Sequence, residues 1–119
     1  MDQQELNEIL RRHKIWLETE GVDGARADLR GADLRWADLE GASLEGAVLD
    51  FSAWPLGCGS RNVKIDRRIA AQLAYHFCAV ECDDPDYLTA RAALLPLANT
   101  FHRVESGELN PLEEVPTNE

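Results

Sequence analysis

A five-residue repeat constrains the fold of this chain more than any other feature. From Ala27 the sequence reads ADLRG, ADLRW, ADLEG, ASLEG and AVLDF, so alanine stands first and leucine third in every unit. On an α-helix this spacing gives no single apolar face, because successive leucines rotate by about 140° around the axis. On a flat strand it sends alternate leucines to opposite faces. The repeat therefore predicts a coil that turns every five residues and encloses its leucines.

These A-x-L units resemble the pentapeptide-repeat family. The resemblance implies a right-handed quadrilateral β-helix with four units per coil, in which each unit forms one wall and Asp28 and Val48 share a wall. The strict repeat covers residues 27–51, and generous limits of 22–56 give about one and a half coils. Because repeats bury apolar surface only against neighbours, so short a coil needs caps. The expected fold class is α+β.

The flanking segments are predicted to supply those caps. Apolar residues at helical spacing predict a helix over 3–19, which begins after Asp2 and closes the coil. Asp66, and later Asp84-Pro85, are typical helix starts and predict a helical hairpin over 66–105, whose second helix is kinked or interrupted at Pro96. The apolar stripes expected in this hairpin comprise Ile69, Leu73, Phe77 and Val80, then Leu88, Leu95, Ala98 and Phe101. The hairpin is expected to cover the coil or to form a dimer contact.

The length of 119 residues suits one domain, predicted over 1–106. The remaining residues, 107–119, are acidic, contain two prolines and have no period, which predicts a disordered tail. No run approaches the roughly 18 apolar residues of a membrane span. The polar N-terminus does not resemble a signal peptide. An odd number of cysteines, three, favours free thiols in a reducing compartment, so the expected location is cytoplasmic.

The charge balance limits the partners. Twelve lysines and arginines face 22 aspartates and glutamates, which gives a net charge of −10. Direct binding to nucleic acid needs a basic surface and is therefore disfavoured. Attraction to a basic protein is favoured, and such a surface is often one that itself binds nucleic acid.

The pattern of charges around the leucines predicts an acidic patch. Asp28 and Asp33 have arginines two residues later, whereas no lysine or arginine occurs from Trp36 to Ser60. The patch is expected to comprise Asp38, Glu40, Glu45 and Asp50. The other interpretation is a solvated face that keeps the protein soluble. A basic segment that contains Arg61, Lys64, Arg67 and Arg68 offers internal partners that would weaken the patch. Trp36 replaces the glycine of other units, so it is expected to project outward and anchor a partner.

Signals for catalysis are weak. Phosphate-binding, zinc-protease and nucleophile-elbow motifs are absent from the sequence. The best candidate zinc site comprises Cys78 and Cys82, with His76 and Cys58 nearby in sequence. A nucleophilic pair of Cys58 with His76 or His102 is the other option. Buried structural cysteines explain these residues better, and His13 is expected to be a core histidine. We therefore predict no catalytic residue, no metal site and no cofactor.

The leading functional hypothesis is a non-enzymatic acidic protein-binding module. The pentapeptide-repeat family that the chain resembles includes topoisomerase inhibitors, which are similar to DNA in shape and charge. The coil expected here is too short to imitate a long duplex. A phage-type inhibitor that blocks a basic nucleic-acid-binding groove, for example an anti-CRISPR protein, is the expected instance. The predicted partner-binding residues are Asp28, Asp33, Trp36, Asp38, Glu40, Glu45 and Asp50. The alternatives are an assembly protein that forms a homodimer through its C-terminal helices and a thiol or zinc enzyme.

Overall fold

The computed structural model describes residues 1–115, which form two compact units: Met1–Asp66 and a second unit that begins at Arg67. Four helices are present in these residues: α1 (Gln3–Glu18), α2 (Arg67–Ala79), α3 (Pro85–Ala98) and α4 (His102–Glu105). The first unit contains α1 and the repeat, and the second contains the other helices. The interpretation of residues 1–106 as one domain stays a prediction.

The repeat winds into a coil whose walls stack four units apart. Parallel bridges pair Asp28 with Val48 and Asp33 with Ala53. The backbone N–H of Leu29 donates to the Val48 carbonyl at 2.8 Å, which supports the first of these pairs. The shared wall predicted for Asp28 and Val48 is thus confirmed. A third bridge pairs Ser43 with Lys64, whose separation in the sequence is one residue longer than that of the other two pairs.

The predicted quadrilateral β-helix is wrong, and with it the α+β class. Residues 1–115 contain no β-strand and no sheet, only the three isolated bridges. The reason is that each unit turns before a second residue joins a ladder. Gly31, Gly41 and Gly46 make these turns with φ values of 68°, 74° and 79°. This left-handed conformation ends an extended run, and glycine adopts it at little steric cost.

The leucines fill the interior of the coil, as predicted. Leu29, Leu34, Leu39 and Leu44 are at most 1% exposed, and Leu49 is 5% exposed. Each side chain removed from water in this way stabilises the fold by roughly 1.5–3 kcal/mol. The stack of leucines is therefore the hydrophobic core of the first unit.

Helix α1 lies against the coil, in the position expected of a lid. Its first turn is capped by Asp2, whose carboxylate accepts from the Glu5 N–H at 2.8 Å. The Gln3 amide then pairs with the backbone of Asp38, donating to its carbonyl at 3.0 Å and accepting from its N–H at 2.9 Å. Leu6 is 1% exposed on the same face of the helix. An amide side chain thus supplies the hydrogen bonds that another repeat unit would supply.

His13 connects α1 to two walls of the coil. The imidazole is 0% exposed, and its Nδ1 accepts from the Ala27 N–H at 3.0 Å. Because Nδ1 is the acceptor, the ring proton lies on Nε2 and is donated to the Glu45 carbonyl at 2.8 Å. Trp16 stacks on the imidazole with a centroid distance of 5.5 Å. The expectation of a core histidine bonded to the backbone is confirmed.

The second unit is built on packing between α2 and α3. Ala74 and Cys78 of α2 form a buried cluster with Leu95 and Ala98 of α3. The stripe predicted for the first helix of the hairpin is partly wrong, because Phe77 is 39% and Val80 57% exposed. Since α2 ends at Ala79, Val80 lies outside it, and smaller side chains occupy the face toward α3.

Proline does not interrupt α3, contrary to expectation. The helix continues through Pro96 to Ala98. Pro96 stands in the last turn, so only Leu97 and Ala98 of the helix follow the position where its ring disturbs the backbone. Phe101 follows, is fully buried and packs against the rings of Tyr75 and His76.

The described part of the predicted tail, residues 107–115, has no helix or strand but contacts the second unit. Leu112 packs against the α2–α3 cluster. Its N–H donates to the Asn99 side chain at 2.8 Å, and its carbonyl accepts from the same side chain at 3.0 Å. These contacts hold residue 112 to the end of α3. The rest of the tail, residues 116–119, lies outside the described residues.

Replacement of Leu44 by alanine is expected to lower the free energy of unfolding by about 2–5 kcal/mol, because it leaves a cavity in the core of the coil. Leu56→Ala is the matched control, since Leu56 is 91% exposed and its truncation removes little buried surface. Urea unfolding monitored by circular dichroism measures both. Equal losses in the two variants would contradict the assignment of the core.

His13→Ala is expected to lower the free energy of unfolding of the first unit by about 1–3 kcal/mol, because the buried Ala27 N–H loses its acceptor. Lys14→Ala on the same helix is the control, since Lys14 makes only an exposed contact with Glu18 at 3.9 Å. Thermal and urea unfolding compare the two variants. A His13→Ala protein as stable as the Lys14→Ala protein would show that the imidazole does not hold α1 to the coil.

Candidate protein-binding surface

The first two walls of the coil carry paired charges. The Asp28 carboxylate accepts from the Arg30 guanidinium through both oxygens, at 2.9 and 2.7 Å. Asp33 and Arg35 repeat this geometry at 2.9 and 2.8 Å. The pairing arises locally, because a spacing of two residues places both side chains on the outside of one unit. These walls therefore neutralise themselves, as the sequence predicts.

The pairing changes the acidity of the carboxyl groups. The hydrogen bonds from Arg35 lower the pKa of Asp33 to about 2. The hydrogen bonds from Arg30 likewise lower the pKa of Asp28. Both aspartates stay ionised through the physiological range, but their charges are matched by adjacent guanidinium groups. They are thus poorer partners for an external cation than an unpaired carboxylate.

The next walls differ, because their carboxylates have no cationic partner. Asp38 and Glu40 are exposed and Glu45 is partly buried. Within residues 1–115, none of these three forms a salt bridge. In these residues the Asp38 carboxylate accepts a hydrogen bond only from the Glu40 backbone N–H, at 3.0 Å. We call Asp38, Glu40 and Glu45 the acidic walls.

Asp50, predicted as part of the same patch, lies instead beside the wall that carries Asp28 and Arg30. Its backbone carbonyl accepts from the Gly31 N–H at 2.9 Å, directly after Arg30. The hydrogen bond to Asp28 is the main cause of the raised pKa of Arg30, and the negative charge of Asp50 adds a smaller contribution. Asp50 therefore faces a guanidinium, whereas the acidic walls do not.

Two of the basic residues expected to weaken the patch border it without pairing. The Gly41 N–H donates to the Arg61 carbonyl at 3.3 Å, and the Leu44 N–H donates to the Lys64 carbonyl at 2.8 Å. Their backbone therefore stacks beside the acidic walls. Both side chains are exposed, and neither forms a salt bridge with Asp38, Glu40 or Glu45 in the described part of the chain. The acidic walls keep their charge unmatched by direct contact. Arg67 and Arg68 belong to the second unit.

Apolar side chains project from the turns of the coil. Trp36 is 92%, Leu56 91% and Phe51 72% exposed. The outward position expected for Trp36 is confirmed, whereas Leu56 and Phe51 were not foreseen. All three stand at the fifth position of the five-residue register, which glycine occupies at 31, 41 and 46. That shared register was the signal in the sequence that identifies them.

A pocket of about 310 Å³ opens beside Trp36. Its apolar lining includes Leu6, Leu34 and Ala37, and its polar lining includes Asp2 and Asp33. The volume is at the lower end of the range for ligand sites and accommodates one long side chain. The pocket thus adds concave surface next to the most exposed aromatic ring of the first unit.

The cysteines form no recognisable centre in residues 1–115. Cys78 is buried with its Sγ 3.7 Å from the Arg91 carbonyl, and burial raises the pKa of its thiol. Cys58 and Cys82 are exposed. Cys82 lies beyond the end of α2, so the helical spacing expected between Cys78 and Cys82 does not form. Among the described residues, no three histidine, cysteine, aspartate or glutamate side chains converge on a metal position.

Comparison with known proteins bears on the repeat. A family model described as pentapeptide repeats (8 copies) matches residues 20–52. The chain therefore contains a pentapeptide-repeat segment. The match begins seven residues before Ala27, the first residue of the strict A-x-L units, and so includes the segment that follows α1. Neither the curated proteins nor the solved structures contain a match to this pentapeptide-repeat chain. None of the helices in residues 1–115 has the length and apolar character of a membrane span.

The Asp33 carboxyl is expected to titrate at a pKa of about 2, and Arg35→Gln should return it toward the ordinary value near 3.8. Because the pKa is depressed, the interaction is fully present above about pH 4 and is lost as pH falls through about 2. Carboxyl ¹³C shifts followed by NMR between pH 1.5 and 6 measure both proteins. An unchanged Asp33 titration in Arg35→Gln would show that the pair does not form in solution.

Proposed function

We propose that this pentapeptide-repeat protein is a non-enzymatic module that binds a basic surface of another protein through its acidic walls. The basic surface is one that otherwise binds nucleic acid, so the module acts as an inhibitor of a host enzyme. A phage-type protein that blocks an effector complex, as an anti-CRISPR protein does, is the instance we favour. The observation that carries this proposal is the unpaired state of Asp38, Glu40 and Glu45 beside two walls of paired charges.

The physical argument rests on the difference between these walls. An exposed carboxylate that is already held by a guanidinium gains little from a second cation. Unpaired carboxylates on a rigid scaffold attract lysine and arginine side chains and accelerate the encounter with a basic partner. The buried leucines and the contact of α1 hold the acidic walls in place, which lowers the entropy cost of binding. Nucleic acid itself would be repelled by the same charges.

The surroundings of the three cysteine thiols favour a binding role over a catalytic one. Cys78 is buried with a raised thiol pKa, which opposes thiolate formation. Cys58 and Cys82 are exposed, and neither has a base within the described contacts that would activate it. The thiol or zinc alternative therefore has less support than an interaction surface.

The test begins with capture of the tagged protein from a bacterial host that carries DNA-processing and CRISPR machinery. Asp38→Asn, Glu40→Gln and Glu45→Gln are then combined in one variant. We expect at least a tenfold loss of affinity for the recovered partner, because three unpaired charges are removed, and a weaker dependence of affinity on salt. Surface plasmon resonance at several salt concentrations measures both quantities.

The control variant combines Glu81→Gln, Asp83→Asn and Asp86→Asn, three exposed carboxylates of the second unit. It has the same net charge as the acidic-wall variant. Equal weakening of both variants would mean that the overall charge, and not the acidic walls, attracts the partner. Recovery of the protein alone would contradict the inhibitor proposal.

A second candidate function is assembly, because the second unit exposes Phe77 and Val80. Phe101, which belongs to the second apolar stripe predicted for the hairpin, is fully buried, so its replacement would damage the fold. Val80→Asp tests this candidate more cleanly. A homodimer in analytical ultracentrifugation that Val80→Asp converts to monomer would favour assembly over inhibition.

A further inference from the structure

We infer that Trp36 and Leu56 form an apolar ridge on which a basic amphipathic segment of the partner protein docks. The inference rests on the proposed function and adds to it the chemical character of the partner segment. The acidic walls alone explain attraction to any basic surface. The ridge would select a segment that also carries apolar side chains.

The register of the coil places the two side chains together. The Leu34 N–H donates to the Ala53 carbonyl at 2.9 Å, and the Leu39 N–H donates to the Gly59 carbonyl at 2.7 Å. Residues 35–38 and residues 54–58 therefore connect the same two walls in successive layers. Trp36 and Leu56 project from these neighbouring turns, and both are more than 90% exposed. Phe51 stands at a different turn, next to Gly31, whose N–H donates to the Asp50 carbonyl.

The backbone that carries the ridge packs closely between the two layers of the coil. Gly59 approaches the first layer so closely that a Cβ at this position would lie 2.0 Å from the Ala37 carbonyl oxygen. Pro55, between the two walls, is fully buried. Trp36, unlike Phe51, is not among the residues with positive φ. An exposed tryptophan on a rigid turn loses little conformational freedom on binding, and tryptophan is enriched among residues that dominate binding energy.

Charge and shape beside the ridge identify its occupant. Asp38 and Glu40 lie two and four residues after Trp36 and carry no salt bridge in the described residues. On the other side, the pocket lined by Leu6, Leu34 and Asp2 borders the Trp36 ring. An apolar stem with a cationic head fits such a site, because the stem covers apolar surface while the charge meets carboxylates. Lysine and arginine on an amphipathic helix have this form.

Other occupants are less compatible with the same surroundings. A second copy of the chain would bring its own acidic walls toward these carboxylates, and the chain has a net charge of −10. Nucleic acid and anionic lipid would meet the same repulsion. A neutral lipid surface lacks that penalty but gains nothing from Asp38 and Glu40. The observations therefore favour a basic protein segment.

The experiment uses a fluorescent helical peptide of about 18 residues with leucine on one face and lysine and arginine on the other. A scrambled peptide of identical composition lacks the apolar face. Fluorescence anisotropy measures the affinity of both peptides for the full chain and for Trp36→Asn, Leu56→Asn and Phe51→Asn. Phe51→Asn is the matched control, because it removes an exposed apolar side chain at another turn, and asparagine tolerates positive φ. Circular dichroism and urea unfolding verify that each variant is folded.

We expect the amphipathic peptide to bind more tightly than the scrambled one. Trp36→Asn should weaken binding by about 30-fold, in the range of a residue that dominates an interface, and Leu56→Asn by a smaller factor. Phe51→Asn should bind like the unmodified chain. The inference is overturned if the peptide does not bind, if Trp36→Asn binds normally, or if Phe51→Asn loses as much affinity as Trp36→Asn.

Two further outcomes would also overturn it by assigning the ridge to another occupant. One is binding of the chain to neutral phosphatidylcholine vesicles that Trp36→Asn abolishes. The other is a concentration-dependent mass in solution that Trp36→Asn abolishes.

The acidic-wall variant separates this inference from the proposed function. If that variant keeps its affinity for the peptide while Trp36→Asn loses it, the ridge stands and electrostatic recognition fails. If the acidic-wall variant loses affinity and Trp36→Asn does not, electrostatic recognition stands and the ridge fails.

Discussion

The first unit depends on enclosure of the repeat leucines by a backbone that turns every five residues. The leucines supply almost all of the apolar core of the coil, and the turns determine which side chains remain outside. The walls stack through only a few backbone hydrogen bonds, so the short coil cannot rely on neighbouring coils for stability. The contact of α1 compensates, because the Gln3 amide and the His13 imidazole satisfy backbone groups that a longer repeat would pair with itself.

This arrangement determines the surface as directly as the core. Positions on either side of each leucine point outward, so neighbours in the sequence become neighbours on one wall. Asp28 and Asp33 meet arginines on their own walls and are neutralised. Asp38, Glu40 and Glu45 have no such neighbours, and the fifth position of the unit adds Trp36 beside them. Successive units share one backbone geometry but differ in their outward residues, so the surface is neutral on the first walls and acidic and apolar on the next.

The leucine period was sufficient to predict the core. The pairing of Asp28 with Val48 was implied by the family resemblance, which gives four units for each turn of the coil. The leucine period was insufficient to predict sheet structure, because a ladder requires consecutive extended residues and the corner glycines prevent them. Val80 was placed wrongly, since helical periodicity does not indicate that α2 ends at Ala79. Phe77 was placed wrongly because Ala74 and Cys78 occupy the face of α2 that packs against α3. Leu56 was missed although it shares the register of Trp36, because residues 54–60 depart from the A-x-L pattern that would have drawn attention to that register. The position of Asp50 beside Arg30 likewise depends on stacking between units that are four units apart in the sequence.

The central claim is that the acidic walls form the surface that meets a basic partner. The most direct measurement is a structure of the chain in complex with the protein recovered from the host, in which the exposure of each carboxylate is compared with that in the free chain. The account predicts that Asp38, Glu40 and Glu45 become buried against lysine and arginine side chains of a nucleic-acid-binding groove. A complex in which these carboxylates remain as exposed as in the free chain would contradict it.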